Sequence, residues 1–251
     1  MLRENTVFGP IKSRRLGNSL GINLLPEKGK ICNFDCIYCE CGWNRDGRED
    51  KRIPTASDVR RALEDKLLQI MLDGTKVDSI TFSGDGEPTL NPEFSQIIED
   101  TLLLRDAYCP GAKVSVLTNA TRLGDKAVFK ALRKVDNPIL KLDAPTSELA
   151  RIINGALPDY KVEDVVAGMR QFKGDFILQT MFLKSPSFDS LSPEVLNGWM
   201  DIVKELKPRL VMAYTLARPT PMQGLLPYSE KEIREALQPL IAEGIKLQIN
   251  A

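Results

Sequence analysis

The sequence predicts an α/β protein built on an open, partial TIM-like barrel with a parallel sheet. After about residue 55, short β-type runs alternate with amphipathic helical runs, and this alternation implies parallel strands joined by right-handed crossovers. We count about six βα units, fewer than the eight of a closed TIM barrel. The 251 residues suit one domain. We therefore expect a single domain over residues 1–251, with segment 1–30 packing near the cysteine-rich loop that follows it.

The helices and strands are predicted from caps and from hydrophobic periodicity. The first helix begins at Thr55, which forms a capping box with Asp58, and ends at Gly74. Later helices begin at Asn91-Pro92-Glu93, near 125, near 162, at Ser192-Pro193-Glu194 and at a second capping box of Ser229 and Glu232, with Pro239 kinking the last one. Strands are predicted somewhere in 21–31 and at 77–82, 113–118, 139–142, 175–182, 210–216 and 245–249.

The composition excludes several classes of function. The chain has no histidine, which removes Ser-His-Asp and Cys-His catalysis and histidine-ligated zinc. Its 34 basic and 34 acidic side chains cancel, so net charge gives no support for non-specific nucleic-acid binding. An enzyme with this composition would depend on cysteine, acidic residues, lysine, tyrosine or a cofactor.

The apolar runs and the cysteines indicate a cellular compartment. The first residues lack the apolar run of a secretory signal, and no later run reaches the length of a membrane span. Four of the five cysteines lie within ten residues, a grouping more typical of metal or redox chemistry than of a disulfide framework. We expect a cytoplasmic protein without a membrane partner.

Three cysteines, Cys32, Cys36 and Cys39, have the spacing C-x3-C-x2-C in one loop. Three such thiolates can hold three corners of a cubic 4Fe–4S cluster and leave the fourth iron open. Two alternatives remain, namely a structural zinc site with Cys41 as the fourth ligand and a set of buried thiols without metal. Structural zinc sites usually draw ligand pairs from separated segments, and this chain has no second pair.

Polar residues follow three of the predicted strands. They are Ser83-Gly84-Asp85-Gly86-Glu87, Thr118-Asn119-Ala120-Thr121 and Lys141-Leu142-Asp143. Active sites of parallel α/β sheets lie at this carboxyl edge, and glycine permits close approach of the backbone. Asp143 could instead cap a helix. Lys141 could pair with a carboxylate, or strand alternation could turn it away from the lumen.

The cysteine spacing, with the aromatic Tyr38 directly before the last cysteine, resembles the signature of the radical S-adenosylmethionine (SAM) superfamily. The segment Gly84-Asp85-Gly86-Glu87 is similar to that family's glycine-glycine-glutamate element, although it has Asp85 inside the motif. The resemblance implies two cofactors, a 4Fe–4S cluster on Cys32, Cys36 and Cys39, and SAM. The implied SAM-binding residues are Tyr38, Gly84, Asp85, Gly86, Glu87, Asn119 and Asp143.

The resemblance also implies an enzyme that cleaves SAM reductively and abstracts a hydrogen atom from a substrate, with flavodoxin or ferredoxin as electron donor. The segment from Val7 to Ile22 resembles the branch related to wyosine-tRNA synthases, which implies a tRNA nucleoside as substrate. Those synthases carry an additional N-terminal cysteine set, whereas this chain has no cysteine before Cys32. The alternatives are a peptide-modifying or glycyl-radical-activating enzyme and, in another class, a non-catalytic zinc or iron–sulfur module.

Four further residues are candidates for contact with the substrate. Arg14, Arg15 and Arg218 could bind a phosphate or a carboxylate, and the alternative for each is an ordinary surface arginine. Cys41, beside the cysteine motif, could act catalytically as a hydrogen-atom donor or a thiyl radical, and the alternative is a structural thiol.

Overall fold

The computed structural model describes residues 5–47 and 50–250. The chain groups into two compact units, and the single domain expected over residues 1–251 stays a prediction. The first unit comprises Met1–Cys32, Asn44–Thr118 and Gly124–Pro138, and the second comprises Asn33–Trp43, Asn119–Leu123 and Ile139–Ala251.

Strands and helices alternate along the chain, as the sequence predicts. The strands are β1 (Val7–Ser13), β2 (Gly17–Ile22), β3 (Ser79–Phe82), β4 (Lys113–Thr118), β5 (Asn137–Lys141), β6 (Ile177–Met181), β7 (Leu183–Ser185), β8 (Phe188–Asp189), β9 (Leu210–Tyr214), β10 (Leu226–Pro227) and β11 (Leu247–Asn250). The helices are α1 (Ala56–Leu72), α2 (Phe94–Tyr108), α3 (Lys126–Leu132), α4 (Ser147–Asn154), α5 (Val162–Arg170), α6 (Pro193–Leu206), α7 (Glu230–Ala236) and α8 (Gln238–Ala242).

In the first unit, β1 pairs antiparallel with β2, and β2, β3 and β4 pair in parallel. In the second unit, β5 pairs with β6, β6 with β9 and β9 with β11, all in parallel. A separate small antiparallel sheet has the strand order β10-β7-β8. The α/β class with a mainly parallel sheet is therefore confirmed.

The two sides of the first unit's strands differ in chemistry. Leu20, Ile80 and Phe82 alternate with polar residues and are fully buried, and Phe82 packs edge-to-face on Phe94 of α2. On the opposite face a ladder of buried hydroxyls crosses the strands. Ser19 Oγ lies 2.7 Å from Thr81 Oγ1, Ser79 Oγ lies 2.9 Å from both Thr81 Oγ1 and Ser115 Oγ, and Asn137 Nδ2 donates to Ser115 Oγ at 3.0 Å.

Both predicted capping boxes are present, at Thr55–Asp58 and Ser229–Glu232, and the predicted last helix is interrupted at Leu237, with Pro239 in the first turn of α8. The strand predicted within 21–31 forms earlier, as β2 at Gly17–Ile22. The sequence analysis missed α4, which Thr146 caps through the Leu149 N–H. Among the helices that the structure describes, none combines the length and apolar character needed to cross a bilayer.

The buried Asn91 lies three residues before the observed start of α2, and its side chain contacts three other backbone groups. Its Nδ2 donates to the carbonyl oxygens of Leu24 and Pro54, each at 3.0 Å, and its Oδ1 accepts the Glu93 N–H at 2.8 Å. Helix α2 starts only at Phe94.

Replacing Asn91 with alanine should lower the free energy of unfolding by about 2–3 kcal/mol, because buried polar groups lose their partners. Urea denaturation followed by circular dichroism measures this change. The control is Gln96→Ala on the exposed face of α2, which should stay within about 0.5 kcal/mol of the parent. Equal stability of the two variants would show that the Asn91 contacts are not needed.

Candidate active site

In the first unit, the residue before Cys32 is fixed by backbone pairing with the Gly84–Glu87 segment. The Ile31 N–H donates to the Asp85 carbonyl oxygen, and the Glu87 N–H donates to the Ile31 carbonyl oxygen, both at 3.1 Å. Gly86 has φ +138°, and a Cβ atom there would lie 1.9 Å from the Ile31 oxygen. Gly86 therefore permits the close approach of the Ile31 backbone.

Gly84 and Asp85 lie against Asn23, which follows β2. Asn23 Oδ1 accepts the Asp85 N–H at 3.1 Å, and Asn23 Nδ2 donates to Asp85 Oδ2 at 3.3 Å. A Cβ atom on Gly84 would lie 2.1 Å from Asn23 Oδ1. Both glycines of the motif are thus required by neighbouring protein groups.

Glu87 is buried, and its carboxylate contacts the end of β4. Its Oε1 accepts the Thr89 N–H at 3.1 Å and the Thr118 hydroxyl at 2.6 Å. The Thr89 hydroxyl donates to the same oxygen. Glu87 therefore holds the β3 loop to β4 in addition to the SAM contact that the sequence predicts for it.

In the second unit, the loop Asn33–Trp43 carries Cys36 and Cys39 on consecutive turns. The Cys39 N–H donates to the Cys36 carbonyl oxygen, and the Gly42 N–H donates to the Cys39 carbonyl oxygen, both at 3.0 Å. Both cysteines are half-buried. The two thiols are therefore presented by a folded loop with restricted backbone freedom.

Helix α4 and the loop after β9 hold the cysteine loop through backbone hydrogen bonds. The Asp35 N–H donates to the Asn154 carbonyl oxygen at 2.8 Å, and the Ile37 N–H donates to the Ile153 carbonyl oxygen at 3.0 Å. The Met222 N–H donates to the Ile37 carbonyl oxygen at 3.2 Å. The C-terminal end of α4 thus fixes the position of Cys36, which lies between Asp35 and Ile37.

The buried carboxylate of Asp143 gathers four donors. Oδ2 accepts the Tyr38 hydroxyl and the Asn154 amide, the latter at 2.6 Å. Oδ1 accepts the Met181 N–H at 2.9 Å and lies 3.4 Å from Lys141 Nζ. A carboxylate offers about four acceptor positions, so a ribose hydroxyl would have to displace one of these donors. Since α4 is capped by Thr146, the alternative that Asp143 caps a helix is wrong.

Asn154 extends this network to a cysteine of the motif. Its Nδ2 lies 3.4 Å from Cys36 Sγ and 3.1 Å from the Tyr38 hydroxyl oxygen. Burial raises the pKa of the Cys36 thiol to about 11 and also raises the pKa of Tyr38. Tyr38 therefore stays protonated and donates to Asp143, and binding of iron by Cys36 must displace a proton.

The Lys141 side chain points toward Asp143 and Tyr38, so the alternative that it turns away is wrong. Its Nζ donates to the Tyr214 hydroxyl and lies 5.2 Å from the centre of the Tyr38 ring. Burial opposes the lysine charge and is the largest single influence, but Asp143, Tyr214 and Cys36 together outweigh it and raise the pKa of Lys141 above its ordinary value. Gln179 pairs with Lys141 in register, and its buried Nε2 has no hydrogen-bond partner among the described residues.

Asn119 is held by neighbours in the same unit. Its Nδ2 donates to Asn33 Oδ1 at 2.7 Å, and its Oδ1 accepts the Thr121 hydroxyl at 2.7 Å. Asn33 in turn donates to Thr121 Oγ1 at 2.6 Å. Asn119 therefore supports the start of the cysteine loop, and its predicted contact with SAM stays a prediction.

Of the three arginines predicted to contact the substrate, Arg14 and Arg15 lie apart from the Gly84–Glu87 segment of their own unit, whereas Arg218 contacts the cysteine loop. Arg14 and Arg15 form the turn between β1 and β2, at the amino end of β2, whereas the Gly84–Glu87 segment follows the carboxyl end of the parallel strand β3. Arg218 pairs with Glu40 of the cysteine loop, with side chains 65% and 49% exposed. Cys41 is half-buried in the turn after Cys39, and its catalytic role stays a prediction.

The cysteine loop has the chemistry that an iron–sulfur cluster needs. All five cysteines lie in the described part of the chain, and none forms a disulfide. Among residues 5–47 and 50–250, no three Cys, Asp or Glu side chains converge on a single metal position. The fit to a cluster depends on the thiols of Cys36 and Cys39 and on the amide that Asn154 directs at Cys36 Sγ, a contact typical of cluster ligands.

Sequence reasoning missed two residues of this site. Tyr214 ends β9, so the strand-end criterion that found Asp143 could have found it. Asn154 lies at the end of α4, eight residues after its cap Thr146 and directly before the left-handed Gly155. Those two capping residues were the available signal for the helix, but they carry no signal for the contact with Cys36.

Replacing Gly86 with alanine should displace Ile31 and the adjacent Cys32, because the new methyl group overlaps the Ile31 carbonyl oxygen. Iron and sulfide bound after anaerobic reconstitution should fall by half or more, measured by elemental analysis. Gly111→Ala is the matched control, since a Cβ atom there meets nothing within 4 Å. Iron loading of the Gly86 variant equal to that of the control would contradict this account.

Sequence comparison identifies related proteins. Residues 27–183 match the family model of the radical SAM superfamily. The chain is 32% identical over 217 residues to the UPF0026 protein MJ1312 of Methanocaldococcus jannaschii, a match that spans 84% of this chain and 64% of that protein. It is 33% identical over 225 residues to the UPF0026 protein slr1464 of Synechocystis, spanning 86% and 77% of the two chains. The match thus spans less than two thirds of the M. jannaschii protein.

Solved structures share the fold. A radical SAM methyltransferase from Sphaerobacter thermophilus superposes with a TM-score of 0.69 at 17% identity, covering 92% of this chain and 65% of that one. SuiB of Streptococcus suis bound to S-adenosylmethionine gives 0.65 at 18% identity, covering 92% and 50%. TYW1 with a lysine-pyruvate adduct bound gives 0.62 at 15% identity, covering 89% and 73%. The predicted open, partial TIM-like barrel is confirmed.

The family match covers both the cysteine motif and the strand-end segments described above. Enzymes of this superfamily use a 4Fe–4S cluster and SAM, so the prediction of these two cofactors is confirmed. The chain is therefore an enzyme of the radical SAM superfamily and belongs to the UPF0026 family.

Proposed function

We propose that this enzyme cleaves SAM reductively and uses the product to abstract a hydrogen atom from a substrate. The observation that carries the proposal is the single hydrogen-bonded group formed by Cys36, Tyr38 and Asp143 through the Asn154 amide. When bound by three thiolates, a 4Fe–4S cluster supplies the electron that breaks the sulfonium C–S bond of SAM, giving methionine and a 5′-deoxyadenosyl radical. A module that only stored metal would not need the acid and the aromatic residue beside its thiols.

The residues of the second unit have distinct roles in this proposal. Cys36 and Cys39 are ligands of the cluster, together with Cys32. Tyr38 presents its ring at a fixed angle because its hydroxyl is held by Asp143. Lys141 keeps a positive charge beside Cys36. Gln179, the residue of β6 that pairs with Lys141 of β5, adds a buried N–H donor. These two side chains suit a carboxylate or another acceptor group of a bound ligand.

The residues of the first unit are assigned to the methionyl part of SAM. Asp85 and Glu87 are buried and lie on a segment that the Ile31 pairing places next to Cys32. Carboxylates in such a position attract an ammonium group, because burial strengthens the attraction between unlike charges. Gly84 and Gly86 permit the turn that brings the two acids there.

For the substrate we propose a tRNA nucleoside, on the resemblance of residues 7–22 to the wyosine-tRNA synthase branch and on the likeness in fold to TYW1. A peptide or protein radical site is the alternative, and a SuiB structure contains a precursor peptide. The proposed reaction uses the one cluster that Cys32, Cys36 and Cys39 are predicted to hold. Flavodoxin or ferredoxin is the proposed electron donor.

Replacing Cys36 with alanine should abolish formation of 5′-deoxyadenosine, because the cluster loses a ligand. The reconstituted protein is incubated anaerobically with SAM and dithionite, and the product is measured by liquid chromatography with mass spectrometry. Cys109→Ala, a cysteine at the end of α2, is the matched control and should keep full activity. If the parent protein bound iron and SAM yet made no 5′-deoxyadenosine, the proposed function would be wrong.

Deuterium transfer identifies the substrate class. Deuterated tRNA and a deuterated peptide fraction are each incubated with the enzyme, SAM and dithionite, and deuterium in 5′-deoxyadenosine is measured by mass spectrometry. We expect label from the tRNA only, because the abstracted hydrogen moves to the 5′ carbon. Label from the peptide fraction alone would refute the nucleoside proposal and leave SAM cleavage standing.

A further inference from the structure

We propose that Asn154 is a positioning residue that raises the reduction potential of the cluster by donating an N–H hydrogen bond to the sulfur of its ligand Cys36. The inference rests on the proposed function and deepens it. Asn154 lies outside the cysteine motif and outside the strand-end segments, at the end of α4. Its role follows from contacts within the second unit.

The orientation of the Asn154 amide is fixed by chemistry. Asp143 Oδ2 is an acceptor, because a carboxylate carries no proton to donate. The atom of Asn154 that lies 2.6 Å from it must therefore be the NH2 nitrogen and not the carbonyl oxygen. One N–H is used on Asp143, and the second is shared between the Tyr38 hydroxyl oxygen at 3.1 Å and Cys36 Sγ at 3.4 Å.

The backbone around Asn154 prevents the amide from turning away. The side chain is buried, with the residue 2% exposed. The backbone carbonyl oxygen of Asn154 accepts the Asp35 N–H at 2.8 Å, so Asn154 is tied to the chain just before Cys36. The following Gly155 is left-handed, and a Cβ atom there would lie 2.7 Å from the Asp35 carbonyl oxygen. The contact between amide and sulfur is therefore built into the loop and does not depend on a mobile side chain.

The direction of the effect follows from electrostatics. Reduction adds one electron, supplied by dithionite in the experiment or by the electron donor in the cell, and this electron increases the negative charge on the cluster and its thiolates. A hydrogen-bond donor at a ligand sulfur stabilises the reduced state more than the oxidised state. The negative Asp143 carboxylate has the opposite effect, and the Asn154 amide lies between it and Cys36.

The test measures the potential directly and does not depend on turnover. Asn154→Leu keeps a similar volume and removes both N–H donors. The reconstituted variant is titrated with dithionite at controlled potentials, and the reduced cluster is measured by electron paramagnetic resonance. At the potential where half of the parent cluster is reduced, we expect the ratio of reduced to oxidised cluster to fall about threefold to tenfold, a tenfold change being about 59 mV for one electron.

Two further variants make the result decisive. Ile152→Ala, on the same helix and 44% exposed, should leave the potential unchanged. Asn154→Ala removes the donors without adding bulk or charge, so its potential should fall in the same direction as that of the leucine variant, and it decides the matter if the leucine variant does not bind iron. Potentials of both Asn154 variants equal to that of the parent would overturn the inference. Failure of the parent to make 5′-deoxyadenosine would instead overturn the proposed function.

Discussion

The buried carboxylate of Asp143 is the constraint on which the second unit's site depends. A charge removed from water is stable only if donors or opposite charges replace its hydration. Asp143 obtains them from the Tyr38 hydroxyl, the Asn154 amide, the Met181 N–H and the Lys141 ammonium. Each donor is thereby fixed, and since the donors belong to the cysteine loop, α4, β5 and β6, one carboxylate sets the relative positions of four elements.

The first unit orders the loop after β3 by a different means. There Ile31, the residue before Cys32, is held by backbone hydrogen bonds to Asp85 and Glu87. Gly84 and Gly86 leave room for this pairing because they carry no side chain. The backbone pairing at Ile31 fixes the path of the chain, whereas the Asp143 carboxylate fixes the positions of side-chain atoms. Within each unit, Asp85, Glu87 and Asp143 are engaged with the protein itself, so these carboxylates are held in place before any ligand adds its own contacts.

The sequence predicted those parts of the fold and site whose causes are local. The capping box at Thr55–Asp58 depends on residues three apart, and Asp143 was found because it follows a strand. Asn154 could not be found in this way, because its partner Cys36 is 118 residues distant in sequence. The start of α2 lies three residues after the predicted Asn91, although Asn91 Oδ1 accepts the Glu93 N–H as a capping side chain does. Long-range partners leave no signal in local propensity.

The hydroxyl ladder of the first unit meets an amide donor at one end. Asn137 can only donate to Ser115, and each hydroxyl has a single proton to give. If Ser115 donates its hydroxyl proton to Ser79, then Ser79 can donate to Thr81 and Thr81 to Ser19. All of these protons would then point in one direction across the strands. Dipoles aligned in this way reinforce one another. The hydroxyls of Ser19, Ser79, Thr81 and Ser115 are thus linked by hydrogen bonds, so replacing one of them with an aliphatic side chain would leave its neighbours without a partner, while replacing all of them together need not.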